Sequence, residues 1–156
     1  MTPEDLMRRA VALSMEKMQA GIGGPFGAVI AREGEIIAEG WNQVTSTADP
    51  TAHAEVVAIR EACRVLGDFQ LTGCEIYTSC EPCPMCLGAI FWARPERVYY
   101  AATKKDAAAA GFDDSFIYQQ IEVPHSDRSI PMIQLNGVPA TRPFEEWNGR
   151  SNKTKY

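Results

Sequence analysis

Glu75-Ile76-Tyr77-Thr78-Ser79, then Cys80-Glu81-Pro82-Cys83-Pro84-Met85-Cys86-Leu87-Gly88-Ala89-Ile90-Phe91-Trp92-Ala93, then Arg97-Val98-Tyr99-Tyr100-Ala101-Ala102 reads as strand, turn and helix, strand. The run from Pro84 to Ala93 is apolar nearly all round, the pattern of a buried helix. Working outward, Thr2-Pro3-Glu4-Asp5 starts a helix with a hydroxyl cap, a Pro in the first turn and an acid three residues after the cap. Leu6, Ala10, Leu13 and Met7, Val11, Met18 recur at helical spacing to about Ala20, where Gly21 to Pro25 ends the element. Phe26–Ala31 and Glu35–Trp41 flank a Glu33-Gly34 turn and predict a hairpin, followed by a polar loop from Asn42 to Asp49. A second amphipathic helix runs from Ala52 to Val65, with Gly67 as its stop. Beyond Thr103 the pattern predicts short helices at Asp106–Ala110 and Ser115–Gln120, a strand at Ile130–Leu135 and a helix at Pro143–Trp147. Strands alternating with helices indicate an α/β protein whose sheet is covered by helices. Neither a repeat nor a break divides the 156 residues, so one domain is expected over 1–156.

Composition narrows the function. The 46% hydrophobic and 22% charged residues describe a globular chain rather than a disordered one. The longest uncharged stretch, Met18 to Ala31, contains four Gly and a Pro and falls short of the roughly 20 apolar residues that cross a bilayer. Acids at Glu4 and Asp5 stand where a secretory leader needs a basic region, and a cytoplasmic protein is expected. Fifteen basic against twenty acidic residues leave a net charge of -5, which disfavours a broad polyanion-binding surface and points to a small-molecule partner. The exception is the basic tail from Arg150 to Tyr156.

Five cysteines, three of them at 80, 83 and 86, crowd toward metal chemistry in a reducing compartment. Cys83-Pro84-Met85-Cys86 opens a helix, where the N-terminus favours thiolates, and His53-Ala54-Glu55 opens another. His53, Cys83 and Cys86 would fill three positions of a tetrahedral zinc and leave the fourth for water, as in catalytic sites; Cys80 as a fourth ligand would instead close a structural site. Glu55 is the carboxylate beside the open position. Residues two apart do not share a helix face, so His53 and Glu55 can converge only at an irregular helix entrance, which the Pro50-Thr51 lead-in permits.

His53-Ala54-Glu55 with Pro82-Cys83-Pro84-Met85-Cys86 resembles the signature of the zinc nucleobase deaminases. Gly23-Gly24-Pro25-Phe26-Gly27, Asp49-Pro50-Thr51-Ala52, Gly111-Phe112-Asp113-Asp114-Ser115-Phe116 and terminal Lys155-Tyr156 extend the resemblance over the whole chain to the small bacterial guanine deaminases. The resemblance implies a cytidine deaminase-like three-layer α/β/α sandwich with a central mixed sheet, and hydrolysis of guanine to xanthine and ammonia. It implies one zinc per chain on His53, Cys83 and Cys86, with Glu55 as the catalytic acid and base. A purine pocket is implied from Phe26, Asn42, Ala54, Trp92, Asp114 and Tyr156, in which Asp114 reads the purine's donor groups. It further implies a homodimer that exchanges C-terminal segments (about 137–156), placing Tyr156 over the neighbour's site. The competing readings are a tRNA adenosine deaminase, a deaminase of another small amino-heterocycle such as cytosine, and a zinc-stabilised binding module without catalysis.

Overall fold

Thr2 opens the first helix, α1 (Pro3–Gln19): its hydroxyl accepts from the Asp5 backbone N–H at 3.2 Å, and the Asp5 carboxylate accepts from the Thr2 N–H at 3.0 Å. The reciprocal pair satisfies two donors that a helix start otherwise leaves over. The chain continues as β1 (Gly27–Arg32) and β2 (Glu35–Trp41), joined through Glu33 and Gly34 with φ of 51° and 79°, the positive values of a tight hairpin turn. Next come α2 (Val44–Thr47), α3 (Ala54–Leu66), β3 (Cys74–Cys80), α4 (Pro84–Ala93), β4 (Arg97–Ala102) and α5 (Lys104–Ala109). The computed structural model describes residues 1–156 and divides them into two units, Met1–Asp114 and Ser115–Tyr156.

The first unit is built on one mixed sheet of order β2-β1-β3-β4, antiparallel at its first two pairings and parallel between β3 and β4. Parallel pairing needs a crossover, and α4 supplies it. Alternation along the strands separates two cores. Ala28, Ile30, Cys74 and Ile76 pack with Ala54, Ala58 and Ala62 of α3 and Ile90 and Ala93 of α4. Val29, Ala31 and Tyr77, one residue out of phase, pack with Leu6, Ala10 and Leu13 of α1. The result is helix, sheet, helix: the three-layer α/β/α sandwich. Helix and sheet approach closely at Gly40 of β2, where a Cβ would lie 2.3 Å from the Ala54 carbonyl oxygen and 2.5 Å from the Ala58 nitrogen. The alanine stripe of α3 therefore lies directly on the strand, and the start of α3 is held by backbone contact.

The second unit contains α6 (Ser115–Glu122), a 3-10 turn at His125–Asp127 and α7 (Arg142–Gly149). The Arg128 guanidinium donates to the Gln120 carbonyl at 2.8 Å and caps the end of α6. Residues 129–152 are all exposed.

Three expectations need correction. The strand expected at Ile130–Leu135 does not form; all sheet ladders lie within residues 27–102, and an alternating run without an edge to pair with stays irregular. The polar loop after Asn42 contains the single turn α2. Only the Cys86, Ile90, Ala93 face of α4 is buried, while Leu87, Phe91 and Trp92 are exposed, the last two at 72% and 63%. A helix lying on one sheet presents one stripe to it, however apolar the rest.

Candidate active site

Two helix entrances meet at one point. His53 is the N-cap of α3, with extended backbone (φ -71°, ψ 154°), and Cys83 is the N-cap of α4 (φ -69°, ψ 168°). The approach to His53 is held by Asp49, whose carboxylate accepts from the Thr51 N–H at 2.9 Å and the Thr51 hydroxyl at 2.7 Å. Because His53 is extended rather than helical, it turns toward the same spot as Glu55 one residue into the helix. Cys86 comes from the first turn of α4 and is fully buried.

His53 Nδ1 lies 3.5 Å from Cys83 Sγ and 3.5 Å from Cys86 Sγ, and the three donor atoms lie within 4.8 Å of one another. With Zn–S near 2.3 Å and Zn–N near 2.05 Å, tetrahedral angles require an S···N separation of about 3.6 Å. The trio fits a zinc ion. Its electrostatics agree: hydrogen bonding from Cys86, then from His53, pulls the Cys83 thiol down to about 4, while Cys83 and burial push Cys86 up. Two thiols this close cannot both ionise alone, and a divalent cation that takes both as thiolates removes the conflict. The His53 ring is raised by its hydrogen bond with Cys83, against burial.

Cys80, the last residue of β3, is buried and directs Sγ to the Thr103 carbonyl at 3.6 Å; it is no member of the trio. Glu55 is only 6% exposed. Burial pushes its carboxyl up, opposed by hydrogen bonds from its own backbone and from Cys86. Burial thus favours the protonated form of this carboxyl relative to one in water.

Around this centre, Asn42 is buried at the end of β2, and its N–H donates to the Phe26 carbonyl at 3.1 Å. Phe26 meets Phe112 edge to face, centroids 5.0 Å apart. Phe112 was not singled out from sequence; its place in the Gly-Phe-Asp-Asp segment was the available signal. Asp114 is half-buried, its carboxyl raised first by burial and also by the Cys83 charge, whereas Asp113 is exposed. Ala54 is fully buried between His53 and Glu55. Trp92 lies on the exposed side of α4, and Tyr156, in the second unit, is 71% exposed.

A sequence profile of the cytidine and deoxycytidylate deaminase zinc-binding region matches residues 1–102, the span that contains both helix entrances. The chain belongs to this deaminase family. Within it, the chain is 59% identical to the guanine deaminase of Bacillus subtilis (strain 168) over 156 residues, all of both sequences. The crystal structure of the B. subtilis guanine deaminase superposes with a TM-score of 0.97, covering 100% of this chain and 99% of that one. A guanine deaminase from Nitrosomonas europaea superposes with a TM-score of 0.68 at 35% identity, covering 72% of this chain and 65% of that one. The tRNA-specific adenosine deaminase of Aquifex aeolicus is 51% identical, but over 81 residues, 52% of this chain and 54% of that protein. The deaminase family thus shares the zinc-binding half, and the B. subtilis enzyme shares the remainder as well.

Proposed function

We propose that this chain is a zinc-dependent guanine deaminase that converts guanine and water to xanthine and ammonia. The observation that carries the reading is the full-length likeness to the B. subtilis guanine deaminase, which includes residues 115–156, beyond the shared deaminase region. His53, Cys83 and Cys86 would hold one zinc, which would supply Lewis-acid chemistry that makes water a nucleophile at neutral pH. Glu55 takes the proton of the attacking water as that water adds to the ring carbon bearing the amine. It hands that proton to a ring nitrogen and then carries the proton of the newly added hydroxyl to the amine, so that the C–N bond breaks, ammonia departs and the carbonyl of xanthine forms. The upward shift of Glu55 suits this double duty, since the carboxyl must give the proton back.

Phe26 supplies a stacking wall, with Phe112 against its edge. Asn42 and Asp114 read the purine's polar edge, and Ala54 and Trp92 complete the pocket. The exposed apolar side chains of residues 129–152 lack a covering surface within their own chain, with Ile133 at 79% exposure. A second copy covers them: the enzyme is a homodimer that exchanges residues of about 137–156, with Tyr156 closing the neighbour's pocket. Free thiolate ligands favour a reducing compartment, which supports the cytoplasm as its location; no helix is long and apolar enough to cross a membrane.

The test is ammonia release from guanine, adenine, cytosine and a tRNA anticodon stem, with zinc measured on the same sample. Guanine is expected to react far faster than the others at one zinc per chain. A preference for the tRNA stem, or full activity without metal, overturns the proposal.

A further inference from the structure

Asn42 is held in one orientation by its surroundings. Its carboxamide oxygen Oδ1 accepts from the Gly24 N–H at 3.3 Å and from the Val44 N–H at 3.1 Å. Two backbone donors fill both lone pairs, so the assignment of oxygen and nitrogen is dictated by the neighbours. The amide nitrogen Nδ2 makes no hydrogen bond within the chain and is not sealed in, since Arg32 Nε is the buried side-chain nitrogen that lacks a partner. With its oxygen fully used, the carboxamide has only its N–H groups left to offer a ligand.

What allows this clamp is Gly23. A Cβ there would fall 2.0 Å from the Asn42 carbonyl oxygen, 2.6 Å from its carbonyl carbon and 2.8 Å from Oδ1. Two of these belong to backbone that is itself tied to Phe26 through the Asn42 N–H, and the third, Oδ1, ends a side chain held by two backbone donors. At Gly24 the picture differs, with the nearest atoms to a Cβ being ring carbons of Phe26 at 3.5 Å, an ordinary contact. Gly23 therefore matters for proximity and not for turn conformation.

We propose that Gly23 is a positioning residue for Asn42: its missing Cβ lets the 23–24 segment lie on the Asn42 backbone, where the Gly24 and Val44 N–H groups lock the carboxamide so that Nδ2 alone faces the pocket. Residue 42 then acts only as a donor, toward an acceptor atom of the heterocycle. The substrate half of this inference rests on the guanine reading above; the positioning half does not.

Two measurements keep the halves apart. The first is the Asn42 side-chain amide pair in nitrogen-15 NMR spectra of the zinc-loaded protein, assigned by its absence in Asn42→Asp. Gly23→Ala is expected to move both signals, and unchanged signals overturn the positioning role whatever the substrate. The second is a double-mutant cycle on guanine kinetics. Gly23→Ala is expected to raise KM by roughly tenfold with zinc content intact and kcat changed by less than about threefold, the pattern of lost uniform binding. Adding Gly23→Ala to Asn42→Ala should cost no more than about a further twofold, since the group it positions is already gone. Losses that multiply would show Gly23 acting through another group and overturn the proposal. Should Gly23→Ala not fold, Asn42→Asp decides the remainder: its carboxylate keeps both backbone donors but has no N–H to give, and an unchanged KM overturns the donor role. A wild-type protein inactive on guanine whose amide signals still move in Gly23→Ala would sink the guanine reading and leave the positioning role standing.

Discussion

Gly40→Ala tests whether the hydrolytic centre depends on how closely α3 lies on the sheet. The new methyl would start 2.3 Å from the Ala54 carbonyl oxygen and 2.5 Å from the Ala58 nitrogen, both helix backbone. Reaching ordinary contact of about 3.5 Å requires the strand or the helix to move by about 1 Å or slightly more. β2 is held to β1 by a ladder in which Gly40 faces Ala28, so α3 is the element that gives way. Two costs follow. Overpacking a core of this kind costs about 1–3 kcal/mol, which in a chain of this size lowers Tm by about 2–12 °C. Displacing catalytic groups by about 1 Å costs on the order of 10²-fold in rate, equivalent to about 2.7 kcal/mol, and α3 carries Glu55 in its first turn with His53 as its cap. The assay is thermal melting of the zinc-loaded protein together with kcat/KM on guanine. A variant that melts within about a degree of wild type and keeps kcat/KM within twofold would refute the claim that this backbone contact seats the centre.

Glu55→Gln should retain zinc by elemental analysis and lose roughly 10²–10⁴-fold in kcat, the usual worth of a positioned acid and base. Cys80→Ser should keep both zinc and turnover, because its thiol faces the Thr103 carbonyl at 3.6 Å; loss of zinc would indicate a closed four-ligand site. Asp114→Asn should weaken guanine turnover by about 5- to 150-fold, a mismatch of about 1–3 kcal/mol, while Asp113→Asn changes it little; the reverse result reassigns the reader. A chain ending at Ser151 should keep zinc and a folded core but lose guanine turnover, and full activity there, or a monomer of the full chain by light scattering, would defeat the exchanged lid.

Much of the first unit was legible because its elements carry chemical punctuation. Thr2, Pro3 and Asp5 announce α1, Glu33-Gly34 the hairpin and Gly67 the end of α3, and each does in the structure what its local chemistry favours. The metal trio was legible in residue type and spacing, since His53, Cys83 and Cys86 all stand at helix entrances. What failed to show depends on neighbours distant in sequence. The alternation at Ile130–Leu135 says that the segment can be a strand, not that an edge is available to it. The even apolarity of Pro84–Ala93 hid which stripe meets the sheet, leaving the exposure of Phe91 and Trp92 unread. The Phe26–Phe112 contact and the clamp on Asn42 join residues 86 and 18 positions apart, beyond the reach of any local pattern.

The placement of the metal donors on the first residues of α3 and α4 bears on how such a protein can change over generations. Both helices and all four strands lie within residues 27–102, so the residues proposed to hold zinc and to move the proton all precede Phe112. Mutations upstream of that point strike foldability and chemistry together and are purged together. Downstream, Asp114 and the 42 residues after it contribute none of the proposed metal donors, so changes there would alter the pocket and its lid while leaving those donors in place. Bond-breaking is thus proposed to lie in one stretch of the chain, whereas substrate reading is divided between that stretch, through Asn42, and the residues from Phe112 onward, and selection can rewrite the second share while leaving the first alone.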